Sequence, residues 1–143
     1  MNDALEVLLA KSDIADLVHT YALHIRNREP ERVRGLFTTD AAFEVRDVDP
    51  LDPANAQVRK RSEGSDAIVA SVGASTGARR VFPAIHNLLI EVSGDRAVAT
   101  SLMIATICPG GGETLGEYRD SFRKTQDGWR FSERIYTIYM SPS

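Results

Sequence analysis

The stretch VFPAIHNLLIEVSGDRAVATSLMIATIC, residues 81–108, decides the fold because its apolar residues recur with the period of two that is typical of β-strands. One side of a first strand carries an alternating row that consists of Ala84, His86, Leu88, Ile90 and Val92. The pair Gly94-Asp95 predicts a tight turn after this row. Residues 97–108 are rich in β-branched and small side chains, so they predict a second long strand.

The strand pattern continues towards the end of the chain. The run Pro109-Gly110-Gly111-Gly112 breaks the second strand, and residues 114–125 predict a third. The residues Gln126-Asp127-Gly128 then form a turn that leads into a fourth strand at 129–140. Four long strands joined by short turns predict an antiparallel meander.

The residues before this meander are mostly helical. Apolar side chains recur every three or four positions at Ile14, Leu17, Val18, Tyr21, Ala22 and Ile25. This helix begins either near Asn2-Asp3 or at a cap formed by Ser12 or Asp13, and Pro30 ends it near residues 27–28. Shorter elements follow it, namely a helix at 30–37, strands at 41–48 and 57–61, a helix at 65–72 and a loop at 73–80.

Helices followed by strands are typical of an α+β fold in which the helices cover the concave face of the sheet. The chain contains no repeat, low-complexity tract or interdomain linker. We therefore expect residues 1–143 to form a single domain.

The composition excludes several classes of function. The chain has 17 Lys+Arg against 20 Asp+Glu, and the net charge of −3 gives no bulk attraction to nucleic acid or to an anionic membrane. No apolar run approaches the ~20 residues of a membrane span, and the acidic N-terminus indicates a helix start rather than a signal peptide. Cys108 is the only cysteine, so no internal disulfide can form. We expect a cytoplasmic protein.

Three motifs lack the residues that their chemistry would need. The glycines at 110–112 lie between two strands, without the helix or the Lys-Ser/Thr pair of a phosphate loop, so they favour a hairpin turn. The aspartates at 47–52 lack the glycine and the final glutamate of a calcium loop. His19 and His24 are five positions apart and point in different directions on a helix. The sequence therefore predicts no metal and no cofactor.

Two residues are candidates for chemistry. Tyr21 lies within the apolar stripe of the first helix, so its ring is expected to face the sheet, where a buried hydroxyl needs a partner or a cavity. His86 shares a strand side with Leu88 and Ile90, and it is either a core residue or a proton carrier. His24 lies one turn beyond Tyr21 and is predicted to line the same cavity.

Three segments carry a resemblance to a known family: YALHIRNREPERVRGLFTTDAAFEV (21–45), HNLLIEVSGDRAVATS (86–101) and YRDSFRKTQDGWRFSER (118–134). Together they resemble a SnoaL-like domain of the NTF2-like superfamily, which includes ketosteroid isomerase, scytalone dehydratase and bile-acid 7α-dehydratase. The resemblance implies a cone in which a curved antiparallel sheet is wrapped by the N-terminal helices around an apolar pocket.

The resemblance carries over to only some of the functional residues. Tyr21 matches the oxyanion-hole tyrosine of the isomerase, and His86 resembles the catalytic histidine of the dehydratases. Val45 stands where the isomerase has its general-base aspartate, and a valine cannot take a proton. Arg26 stands where many dehydratases have an aspartate. Tyr118 is a further candidate for the cavity wall, and Asp120 shares its strand face and either faces the cavity or has a structural role.

The expected function is that of a cofactor-independent lyase (a dehydratase) or an isomerase that acts on a small hydrophobic cyclic or polyketide-like molecule. In this interpretation His86 moves a proton and Tyr21 donates a hydrogen bond to a carbonyl. The alternative is a non-catalytic domain that binds a hydrophobic ligand or serves in assembly. The resemblance also implies a homo-oligomer, either a dimer or a trimer.

Overall fold

The computed structural model describes residues 3–74 and 79–139. Three helices and six strands follow one another in the order α1 Asp3–Arg26, α2 Pro30–Val33, β1 Phe37–Val48, β2 Gln57–Glu63, α3 Ser65–Ala74, β3 Arg80–Ser93, β4 Arg96–Cys108, β5 Gly112–Thr125 and β6 Gly128–Tyr139. No helix within the described residues has the length and apolar character needed to cross a membrane.

The six strands form one curved, unclosed sheet with the order β2-β1-β6-β5-β4-β3. The antiparallel meander predicted from residue 81 onward is confirmed, because each of the last four strands pairs with the next along the chain. Strand β1 joins the meander by pairing in parallel with β6, so the sheet is mixed. The predicted α+β class with helices on one face of a curved sheet is confirmed.

Helix α1 packs against the sheet through the stripe that its periodicity predicts. Ile14 and Val18 are fully buried, and Tyr21 lies further along the same face at 5% exposure. These side chains join Phe37, Phe131 and other residues in one hydrophobic core. Because burial of apolar surface is the main source of stability, this stripe anchors α1 across the concave face of the sheet.

The segment after α1 differs from its prediction. The sequence predicts a helix over residues 30–37, whereas α2 ends at Val33 and a single turn of 3₁₀-helix covers Arg34–Leu36. Phe37 is already extended and begins β1, which places its ring against Phe131 in the core. Four residues of the predicted loop at 73–80, and the predicted strand residue Met140, lie outside the described residues.

Strand β3 contains an irregularity that changes which side chains face the core. His86 pairs with Leu102 and Leu89 pairs with Thr100, so β3 has an extra residue between the two pairs. The backbone accommodates the extra residue at Asn87, which has a positive φ of 52°. Ile85 faces the core before the bulge and Leu88 faces it afterwards. The residues that face the core therefore change from odd-numbered to even-numbered positions.

Candidate functional site

A cavity of about 560 Å³ opens on the concave side of the sheet, with a wall that includes side chains of α1 and α3. Most of this wall is apolar, and the sheet contributes Phe43, Val45, Val81, Met103, Ala105 and Ile138. A mostly apolar cavity of this volume is typical of a site for a small molecule.

Three tyrosines form a polar patch on the cavity wall. Tyr21 comes from α1, while Tyr118 on β5 and Tyr136 on β6 are direct cross-strand partners. The ring centroids of Tyr21 and Tyr118 are 6.4 Å apart, and those of Tyr118 and Tyr136 are 5.0 Å apart. Burial raises the pKa of all three phenols, so they stay protonated at neutral pH and can donate hydrogen bonds to a ligand.

A buried ion pair packs against the tyrosines. Arg134 and Asp120 are direct partners across β6 and β5, and the Arg134 Nε lies 3.0 Å from the Asp120 Oδ1. The guanidinium carbon is 3.5 Å from the ring centroid of Tyr118 and 4.4 Å from that of Tyr21. The rings therefore cover a cation whose Nη1 has no hydrogen-bond partner among the described residues.

The carboxyl group of Asp120 responds to this environment. Burial raises its pKa to about 6, although the charge of Arg134 and the hydrogen bond from that residue lower it. Asp120 is 3% exposed and is not part of the cavity wall. Its position therefore suits support of the tyrosine patch rather than contact with a ligand.

The rim of the cavity along β2 is basic. Lys60 pairs with Val45, and Arg59 is the extra residue of a bulge between β2 and β1. The Arg59 Nε donates a 2.9 Å hydrogen bond to the Asp47 Oδ2, so a carboxylate compensates the charge of Arg59. Among residues 3–74 and 79–139, the side chains that line the cavity include no carboxylate and no imidazole.

The pattern of the SnoaL-like domain matches residues 6–135 of this chain. The chain belongs to the SnoaL-like domain family. The resemblance stated from the sequence is thereby confirmed. None of the curated proteins shows significant similarity to this chain.

Solved structures share the fold of this SnoaL-like domain over almost its whole length. A protein of unknown function from Mycobacterium tuberculosis is 25% identical with a TM-score of 0.81, and the match covers 99% of this chain and 78% of that one. The beta subunit of a candidate aromatic-ring-hydroxylating dioxygenase from Novosphingobium aromaticivorans is 20% identical with a TM-score of 0.78, covering 95% and 93%. A candidate scytalone dehydratase from the same organism is 24% identical with a TM-score of 0.73, covering 93% and 86%.

The structure brings some of the predicted site residues together. Tyr21 and Tyr118 share the cavity wall, and Asp120 packs behind them with Arg134. Val45, which stands at the position of the isomerase base, also lines the cavity of this SnoaL-like domain. The catalytic roles assigned to these residues stay predictions.

The prediction that His86 faces inward beside Tyr21 is wrong. The bulge at Asn87 reverses the alternation of β3, so His86 is exposed on the outer face while Leu88 and Ile90 pack against the core. His86 does not line the cavity that contains Tyr21. We therefore assign it no role in the chemistry of this cavity.

His24 lies beside the main cavity rather than in it. With Ile25, Val72 and the residues that follow α1, it lines a separate cleft of about 200 Å³. Its buried Nδ1 has no hydrogen-bond partner among the described residues. Ile25 and Val72 line both the cleft and the main cavity, so the two spaces are neighbours.

Sequence reasoning missed Tyr136, Arg134 and the basic rim. Strand β6 also contains an extra residue, because Phe122 pairs with Phe131 whereas Ser121 pairs with Glu133. Counting by two from Trp129 and Phe131 would place Tyr136 and Arg134 on the outer face. The only sequence signal was an arginine between aromatic residues in a strand, and such a signal does not reveal a bulge.

Proposed function

We propose that this SnoaL-like protein binds a small hydrophobic molecule that contains a ring system and at least one oxygen atom. The observation that carries this proposal is the patch formed by Tyr21, Tyr118 and Tyr136 on the wall of an otherwise mostly apolar cavity of about 560 Å³. Apolar walls favour the transfer of a hydrocarbon ring from water, and the phenols donate hydrogen bonds to a carbonyl or hydroxyl oxygen.

The tyrosine patch also supplies selectivity. A buried phenol without an acceptor costs about 1–3 kcal/mol, so a ligand that displaces water from the patch needs to offer an oxygen in return. A pure hydrocarbon of the same shape would fill the cavity but would leave the hydroxyls of Tyr21 and its neighbours without acceptors. The protein is therefore expected to prefer an aromatic ketone to the corresponding alkyl arene.

Titration with acetylnaphthalene and with ethylnaphthalene tests this proposal, because the two compounds differ in a single oxygen. Tyr21→Phe should weaken binding of the ketone by about tenfold, the value of one net hydrogen bond of ~1.4 kcal/mol, and leave binding of the alkyl compound nearly unchanged. Tyr139→Phe is the matched control, because Tyr139 lines a different pocket on the outer face. Equal affinity of the wild-type protein for the two compounds would contradict the proposal.

A second candidate function is a cofactor-independent dehydratase or isomerase. The three protonated phenols favour it, because donors fixed around a carbonyl oxygen stabilise the negative charge that grows there when an adjacent C–H bond breaks. In a dehydratase, a water molecule takes the proton and the electrons of the C–H bond form an enolate, which then forms the C=C bond as the β-hydroxyl group accepts a proton from the hydronium ion and leaves as water. The described lining holds no carboxylate or imidazole that would act as a stronger base.

Turnover of a panel of β-hydroxy ketones, followed by the absorbance of the enone product, separates the two functions. If the protein is a dehydratase, Tyr21→Phe should lower kcat by about 100-fold, the usual cost of one oxyanion-hole donor. If no member of the panel turns over while acetylnaphthalene binds, the function is binding alone.

We also infer that the protein forms a homo-oligomer through the outer face of the sheet. Leu89, Val98 and Leu115 are exposed on this face, at 70%, 51% and 45%. A second copy of the chain would remove this apolar surface from water. Sedimentation analysis should show a dimer or a trimer, and Val98→Lys should shift the protein towards the monomer.

A further inference from the structure

The cavity carries its charge at one end only. The side chains that line it include two cations on β2, Arg59 and Lys60, and no anion among the described residues. The phenols lie on α1, β5 and β6, so the lining combines an apolar body with hydrogen-bond donors and a basic rim. This local excess of positive charge is opposite in sign to the net charge of −3 of the whole chain.

Lys60 supplies the uncompensated charge of the rim. Arg59 is paired with Asp47, whereas Lys60 makes no ion pair among the described residues. Lys60 is held beside the cavity by the sheet, because it pairs directly with Val45, and paired residues of neighbouring strands face the same side. Its ammonium group is exposed, so its charge is free to meet a ligand at the entrance.

We propose that Lys60 is a specificity residue that selects a ligand with a single negative charge, in particular an aromatic or polycyclic carboxylate. The ring system lies in the apolar cavity, an oxygen at its far end accepts hydrogen bonds from the tyrosine patch, and the carboxylate stays at the rim beside Lys60. One uncompensated cation matches one anionic group, and a carboxylate at the entrance keeps much of its hydration. This inference rests on the proposed function and names its ligand class.

Binding of hydroxynaphthoate and of hydroxynaphthamide tests the inference, with the two substituents at opposite ends of the ring system. The compounds share the ring and the hydroxyl group and differ in charge. Lys60→Met should weaken binding of the naphthoate by about three- to fivefold, the upper range for a solvent-exposed ion pair, and should change binding of the naphthamide by less than about twofold. Lys11→Met is the matched control, since Lys11 is an exposed lysine of α1 that does not line the cavity.

Charge reversal and salt provide two further readouts. Lys60→Glu should weaken naphthoate binding more than Lys60→Met does, and should bring about a preference for an aminomethyl naphthol, which carries a positive charge in place of the carboxylate. Added sodium chloride should weaken binding of the naphthoate to the wild-type protein without affecting the naphthamide, because salt screens the exposed pair.

The outcomes separate this inference from the proposed function. If the naphthamide binds and Lys60→Met leaves naphthoate affinity unchanged, the inference is overturned while the proposed function stands. If neither compound binds to the wild-type protein, and acetylnaphthalene does not bind either, the proposed function fails and the inference fails with it. A loss of naphthoate affinity in Lys60→Met but not in Lys11→Met supports both.

Discussion

The two faces of the sheet each cover a carboxylate, and they do so in different ways. On the concave face, Asp120 pairs among the described residues with Arg134 alone, which is itself 0% exposed. On the outer face, Glu44 has two partners, Arg46 and Arg61, and both reach solvent. The same kind of ion pair therefore occurs both inside the core and on the outer face, where its arginines meet water.

The pKa values of the two carboxyl groups move in opposite directions. Burial raises the pKa of Asp120 to about 6, more than the single arginine lowers it. Burial is also the largest single effect on Glu44, but the hydrogen bonds and charges of two arginines together outweigh it and lower its pKa. Asp120 is the more deeply buried of the two and has one arginine beside it, whereas Glu44 has two, so depth of burial and the number of donors together decide whether a covered carboxylate is stabilised as an anion.

The opposite shifts predict opposite effects of pH on stability. Asp120 keeps its proton more tightly in the folded state, so its contribution is fully present below its ordinary pKa and is lost as the pH rises through about 6. Glu44 keeps its charge more tightly in the folded state, so its contribution is present above its ordinary pKa and is lost as the pH falls through the lowered value.

The largest effect is expected for Asp120→Ala. A protonated carboxyl still offers an oxygen to Arg134, whereas this change removes both the charge and the acceptor, and removing one partner of a buried ion pair costs about 3–5 kcal/mol of the free energy of unfolding. Urea denaturation at neutral pH measures this loss, with Glu44→Gln as the control. The double variant Asp120→Ala/Arg134→Met should be more stable than Asp120→Ala, because it removes the unpaired cation. A double variant that is less stable than the single one would contradict this account.

A smaller loss that depends on pH is expected for Arg134→Met. Asp120 can become neutral by binding a proton, whereas an arginine cannot lose one. Removing Arg134 raises the pKa of Asp120 further, because the charge and hydrogen bond of Arg134 lower it in the wild-type protein. The loss should be about 1–3 kcal/mol well above pH 6, as for an unpaired buried polar group, and should shrink as the pH falls towards about 6. Urea midpoints near pH 6 and well above it provide the measurement. A loss that is equal at both pH values would show that Arg134 does not affect the protonation of Asp120.

Glu44→Gln should cost about 1 kcal/mol or less, because Arg46 and Arg61 reach water and regain hydration when the carboxylate is removed. The wild-type protein should lose this advantage in acid, so the stabilities of the two proteins should converge as the pH falls below the ordinary pKa of glutamate. Thermal denaturation over an acidic pH series checks this convergence. If the stabilities of the two proteins instead diverged in acid, the pKa of Glu44 would be raised in the folded state rather than lowered.

The smallest effect is expected for His86→Ala. The side chain is exposed on the outer face, so stability should change by no more than about 0.5 kcal/mol, and affinity for acetylnaphthalene should stay the same. Tyr21→Phe on the opposite face provides the contrast, since it should weaken binding of this ketone. Equal losses of affinity in the two variants would bring His86 back into the site.

The sequence alone is sufficient to predict most of the fold. Period-two alternation predicts the four strands from residue 81 onward, and three-and-four spacing predicts the stripe of α1 that buries Ile14, Val18 and Tyr21. These patterns are local, because each depends on the geometry of one helix or one strand. The resemblance carried by three segments of the chain also indicates the SnoaL-like family, to which residues 6–135 are matched.

The sequence by itself determined the long first helix with Tyr21 on its buried face and the four strands from residue 81 onward, and the resemblance to the family implied an apolar cavity. Only the tertiary structure decided which side chains meet there. Extra residues in β3, β6 and β2 reverse or interrupt the alternation, so His86 turns outward, Tyr136 and Arg134 turn inward, and Arg59 reaches the rim. A bulge exists only relative to the partner strand, so the pairing of distant strands decides these positions, and no local pattern in the sequence records it.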